Sequence, residues 1–258
     1  MILRLTNSID AFRRGQRVRA ELRAPRERLP GGRRQWIAKS MRWMADEFGT
    51  DVLRRPIVLP DDVIPDGYDG SLAAAEAVTA RIRERMDIPA DRLEICFDLP
   101  DTRSRRPARS GSRPLVKELS GRWIRGEDHN RIWLVPALAE DPVALVAVCA
   151  HEAGHEILLG DGRISPIARP DHESLTDLLT VFFGLGIFTA NAAYDVRTHP
   201  GGRKLPLARG YLREDALAEA LAYYAALRDE RDPDWAQYLD RPVRRRLANN
   251  RHLGRRPR

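Results

Sequence analysis

The chain of 258 residues holds only two cysteines and three lysines, and it has no signal-like apolar start. Each scarcity excludes something. Cys96 and Cys149 lie in apolar segments without C-x-x-C spacing, which excludes a disulfide framework and a cysteine-ligated zinc site. A reducing cytoplasm is the expected compartment. The opening MILRLTNSIDAFRRGQRVRA meets polar residues by position 6 and lacks an apolar core of signal-peptide length, so secretion is not expected. The longest uncharged stretch, Leu178 to Tyr194, only reaches the lower limit for a spanning helix and carries Thr180, Thr189 and Asn191. It reads as a buried core helix, with no membrane expected.

Lysine occurs only at 39, 117 and 204, so 41 of the 44 basic residues are arginine. Arginine alternates with acids through most of the chain, and the net charge of +7 reads first as a solvated basic surface. A nucleic-acid partner has its best support in RPVRRRLANNRHLGRRPR, where Arg244, Arg245 and Arg246 cluster without acids. No repeat and no phosphate-cradling loop is present. Gly184 and Gly186 in VFFGLGIF read as close packing against the neighbouring motif helix.

Residues 1–55 read as an arginine-rich helical N-terminal segment and residues 56–258 as a catalytic-sized domain, or the two as parts of one domain. Trp36, Ile37, Met41 and Met44 recur at helical spacing and are expected in the core. Ser71 is a candidate N-cap for a helix to about Met86. Leu93 to Asp98 alternates like a strand, residues 100–114 read as a mobile loop, and LVKELSGRWI and RIWLVPAL read as a hairpin joined by RGEDHN.

What stands out is CAHEAGHEILLG, residues 149 to 160. Asp141 can cap its helix, Pro142 suits the first turn, and Gly160-Asp161-Gly162 ends it. With almost no charge before Glu152, the helix must be buried. His151 and His155 emerge ~40° apart and one turn apart, so both imidazoles can reach one cation. Glu152 projects at ~100° from His151, a position suited to a general base acting on a metal-bound water and awkward for a ligand. A third ligand must come from elsewhere. Glu173 and Asp177 share a helical face in ESLTD on the next helix, and burying two carboxylates there is costly unless they are paired. Glu173 is the preferred ligand; Asp177 as ligand, and Glu173 as a cap or surface residue, stay open. Asp161 and His172 are lesser ligand candidates, and His199, Tyr211 and Tyr223 are candidate oxyanion donors, each more often explained by packing or exposure.

HEAGH followed by ESLTD resembles the gluzincin branch of the zincin metallopeptidases, whose pattern is HExxH followed by ExxxD. The resemblance covers about residues 115 to 190. It implies Zn²⁺ held by His151, His155 and Glu173, Glu152 as general base, and Asp177 as the acceptor that orients His151. It implies a zincin-like α+β fold, with a small mixed sheet packed on the buried HExxH helix and a following apolar helix, and further helices at both ends. The metzincin pattern is absent, because Leu158 and Asp161 stand where glycine and histidine are needed. The expected function is zinc-dependent hydrolysis of a peptide or protein. The alternatives are a metal-binding regulatory module that contacts a protein or nucleic acid through its basic segments and, less favoured, a membrane-embedded metalloprotease.

Overall fold

Helix α3, Pro142–His155, is the element around which the other layers pack. In a computed structural model, residues 32–98, 120–198, 204–208, 210–250 and 252 are described, with backbone only for 194–198 and 204–208. The expectations for residues 1–31 and for loop 100–114 lie outside these residues, as does His199. The fold is mixed α+β: helices α1 (Arg33–Phe48) and α2 (Leu72–Arg85) precede a three-stranded sheet of β1 (Leu93–Cys96), β2 (Gly121–Ile124) and β3 (Asn130–Leu134). After α3 come α4 (His172–Phe182), α5 (Gly186–Ala192), a hairpin of β4 (Tyr194–Thr198) and β5 (Lys204–Ala208), α6 (Glu214–Leu227) and α7 (Arg241–Asn249).

Local chemistry explains the start of α2 and α3. Ser71 Oγ accepts the Ala74 N–H at 3.2 Å to cap α2, whose Ala75, Val78, Thr79 and Ile82 are buried at helical spacing. Asp141 Oδ1 accepts the Ala144 N–H at 3.1 Å and Pro142 follows, so α3 begins as its sequence implies. Eleven of its fourteen residues are buried. Its surroundings are the sheet through β2 and β3, together with α2, α4 and α5. The side chains of α1, with Trp36, Ile37, Met41 and Met44 buried, join the same hydrophobic core as the residues beyond position 56.

The sheet is mixed, with order β1-β3-β2: β1 runs parallel to β3 and β2 runs antiparallel to it. Ile132 and Leu134 on β3 point into the core, whereas Arg131 pairs with Glu94 across the solvent face at 2.6 Å. Strand β2 is one of the two edges, and Gly121 lets α3 come close to it. A Cβ at Gly121 would lie 2.6 Å from Val148 Cγ1 and 3.0 Å from Glu152 Cγ.

The motif helix does not stop at His155. It widens into a π turn over Glu156–Gly160, closed by the Asp161 N–H on the Glu156 carbonyl at 3.1 Å. That turn seats Glu156, fully buried at 0% exposure, against the sheet. Its Oε1 accepts from Arg92 Nε at 2.7 Å, and its Oε2 accepts from Trp123 Nε1 at 2.7 Å and Asn130 Nδ2 at 2.8 Å. Gly160 is needed here for space, since a Cβ would sit 2.7 Å from Glu156 Oε2.

The apolar stretch from Leu178 to Tyr194 corrects the expectation of one helix. It breaks after Phe182, where Gly184 takes φ +83°, its N–H returns to the Val181 carbonyl and the Leu185 N–H returns to the Thr180 carbonyl. The nearest neighbours of the glycine pair are the Pro56–Ile57 backbone for Gly184 and Leu221 of α6 for Gly186, while α5, which Gly186 opens, packs against the motif helix. The helical stretch Pro142–Gly160 is long and apolar enough to cross a membrane, but 72% of its apolar window is buried inside the protein. The β4–β5 hairpin is a further element that apolar periodicity did not announce.

Glu156→Ala should lower the unfolding free energy by about 2–4 kcal/mol, because it leaves Trp123 and Asn130 on the sheet, and Arg92 just before it, without their acceptor. Urea denaturation followed by circular dichroism measures this, and a loss below ~1 kcal/mol would show that the carboxylate does not tie helix to sheet.

Candidate metal centre

Helix α3 presents His151 and His155 toward α4, and Gly154 between them sets how near α4 can come. A Cβ at Gly154 would stand 2.7 Å from Thr176 Cγ2. With α4 this close, Glu173 Oε2 lies 3.2 Å from His151 Nε2 and 3.2 Å from His155 Nε2. The three donor atoms all fall within 4.8 Å of one another and could hold a metal ion. Tetrahedral zinc with bonds of ~2.0–2.1 Å needs donors about 3.3 Å apart, which these separations match.

The other ring nitrogens are held in ways that leave both Nε2 lone pairs facing the cluster. His151 Nδ1 is 2.7 Å from Asp177 Oδ1, and His155 Nδ1 is 3.5 Å from Thr176 Oγ1, which itself donates to the His172 carbonyl. Asp177, 1% exposed, also accepts the backbone N–H groups of Tyr211 and Leu212 on Oδ2, each at 2.6 Å. This loop rests on Gly210 at φ +81°, where a Cβ would lie 3.0 Å from Asp177 Oδ2. The residues present therefore fit a divalent cation: two oriented imidazoles, one carboxylate and an open side toward a cleft of ≈570 Å³.

Electrostatics favour a cation at this point. Glu152, Glu173 and Asp177 bring three carboxylates to two imidazoles. Burial opposes a charge on His151, but hydrogen bonds with Asp177 and Glu173 outweigh it and raise the pKa to about 10. For Glu173, burial works upward and the two histidines pull harder, holding its carboxyl well below the usual range. A metal ion would occupy the place that a proton takes here.

Glu152, 8% exposed, turns from the histidine pair toward the sheet edge, where its Oε2 accepts the Trp123 N–H at 2.7 Å. Its position on the cleft agrees with the geometry expected from helical rotation. Asp177 lies behind His151 and outside the three-donor group. Asp161 is engaged by Arg92 and Arg163 on the surface, away from the donors. His172 lines the cleft, 3.7 Å from Glu173 Oε1, although its sequence position suggested simple exposure.

Tyr211 is the residue that sequence periodicity undervalued. Its ring stacks on His151 with centroids 5.4 Å apart and planes 13° apart, and it shares the cleft wall with Glu173. Burial first, then the Glu173 charge, push its pKa up, so it remains protonated. Tyr223 instead meets Arg42 on α1 and is not part of the cleft wall. Trp123 and Glu156 were equally invisible as site supports, since their partners are distant in the chain. The repeated acid in HEAGHE was the one available signal.

No model of a known protein family, no curated protein and no solved structure matches this chain.

The purified protein should take up one Zn²⁺ per chain, and Asp177→Asn should weaken that binding roughly 10–100-fold by freeing the His151 ring. Competition with a chromophoric chelator reads the change. Unchanged affinity would mean that Asp177 does not orient a ligand.

Proposed function

We propose that this chain is a zinc-dependent hydrolase, a peptidase of the zincin type with a gluzincin-like ligand set, acting in the cytoplasm on a peptide or protein. The observation that carries this reading is the convergence of His151, His155 and Glu173 within hydrogen-bond range of one point, with Glu152 beside them on the same cleft. In it, His151, His155 and Glu173 hold Zn²⁺, and Asp177 keeps the proton on His151 Nδ1. Zinc bound there supplies Lewis acidity toward a carbonyl oxygen and lowers the pKa of water to ~7.

The chain's own groups move the protons. The Trp123 N–H restrains one oxygen of Glu152, leaving Oε1 to accept a proton from the attacking water and deliver it to the leaving amine. Tyr211, kept protonated by burial and by Glu173, is suited to donate to the oxyanion that develops on the carbonyl. A peptide is favoured as substrate because Gly121 to Trp123 of the edge strand line the cleft and, among the described residues, no further strand pairs with the outer side of β2, where Glu152 takes the Trp123 N–H. An extended chain has a backbone edge to lie along.

A metal-binding regulatory module is the second reading. It draws on α7, whose Arg244 and Arg245 are exposed and could meet a protein or nucleic-acid partner.

Glu152→Gln discriminates between the two. Under the hydrolase reading it retains zinc and loses turnover of a quenched-fluorescence peptide mixture by about 10²–10⁴-fold, while Tyr211→Phe loses a smaller factor with KM little changed. Wild-type protein with full zinc and no Glu152-dependent cleavage would remove the hydrolase reading.

A further inference from the structure

A second hollow of ≈690 Å³ adjoins the first, and Trp123 and Leu159 belong to the walls of both. It is lined by three arginines, Arg125, Arg163 and Arg169, and by no acidic side chain. Two of these guanidinium groups are already neutralised. Arg163 meets Glu47 and Asp161, and Arg169 grips Asp171 through two bonds of 2.9 Å.

Arg125 differs from both. It donates to the Leu159 carbonyl at 2.5 Å and sits 5.8 Å from the Trp123 ring centroid, and it makes no ion pair among the described residues, Glu127 and Asp128 of its own hairpin turn included. A guanidinium held by a carbonyl and an aromatic ring is oriented without losing its charge, which is the state suited to receiving a carboxylate. Arg122, exposed on the wall of the first cleft, likewise has no carboxylate partner among the described residues. At ~3.4 Å per residue, the two positions are about three extended residues apart along the edge where a substrate peptide would lie.

We propose that this second hollow is a subsite for acidic side chains of the substrate, read by Arg125 with help from Arg122, so that the protein selects peptides carrying Asp or Glu near the bond it cleaves. The inference rests on the peptidase reading. A single-stranded nucleic acid suits the hollow less well, because its aromatic faces are covered: Arg125 lies over Trp123 and Arg169 lies 5.9 Å from the Trp43 centroid. Bases need such faces open for stacking.

The test separates binding from turnover. Fluorescein-labelled peptides of matched length, one carrying glutamates and one glutamines at the same places, are titrated by anisotropy into zinc-loaded Glu152→Gln protein. A single-stranded oligonucleotide of equal charge is titrated alongside. The acidic peptide should bind roughly tenfold tighter than the neutral one, and Arg125→Glu should erase that difference while Arg245→Glu on α7 preserves it. Equal binding of the two peptides, equal loss in Arg125→Glu and Arg245→Glu, or tighter binding of the oligonucleotide through Arg125 would each overturn the proposal. Cleavage of the same peptides by wild-type protein is scored separately. Selective binding without Glu152-dependent cleavage would sink the hydrolase reading and leave the acidic subsite standing.

Discussion

Asp177 is a carboxylate buried in an apolar layer, and the three hydrogen bonds that make its burial tolerable join parts of the chain far apart in sequence. One runs to His151 on α3, and two come from the backbone at Tyr211 and Leu212. Removing water from a carboxylate is costly unless its lone pairs are filled, so each partner is fixed by the same requirement. The result is an imidazole whose Nε2 must face Glu173, and a tyrosine that must stack on that imidazole.

Close approach is the second condition. Gly121 brings α3 against the edge strand, and Gly154 brings α4 against α3. A methyl group at either position would meet an atom at 2.7 Å or less, well inside van der Waals contact. The first contact puts Glu152 within reach of the Trp123 N–H, and the second puts Glu173 within reach of both histidines. Glu156 then secures the far end of the helix to all three strands' surroundings through Arg92, Trp123 and Asn130. Trp123 thus serves the site twice, with its backbone on Glu152 and its indole on Glu156.

Charge is sorted by depth in this protein. Carboxylates gather at the buried end of the cleft, where they favour a cation. Arginines form the outer wall, and two of them, Arg163 and Arg169, are tied to acids of their own. The arginine-rich composition is consequently a poor guide to partners, and the two uncommitted guanidinium groups beside the cleft say more than the net charge.

From residue order alone, the capped start of α3, the shared face of its two histidines, the sideways projection of Glu152 and the hairpin before it could all be read, because caps, helical rotation and strand alternation are local properties. The sequence also narrowed the third donor to Glu173 or Asp177, which share one helical face. Which of the two meets the histidine Nε2 atoms was decided by the packing of α4 on α3 at Gly154. The break of the apolar stretch at Gly184, the stacking of Tyr211 and the hold of Trp123 on Glu152 were likewise settled only by the tertiary structure. Each depends on where one packed element comes to rest against another, and that distance is set by side-chain volumes and buried polar groups whose partners lie many residues away.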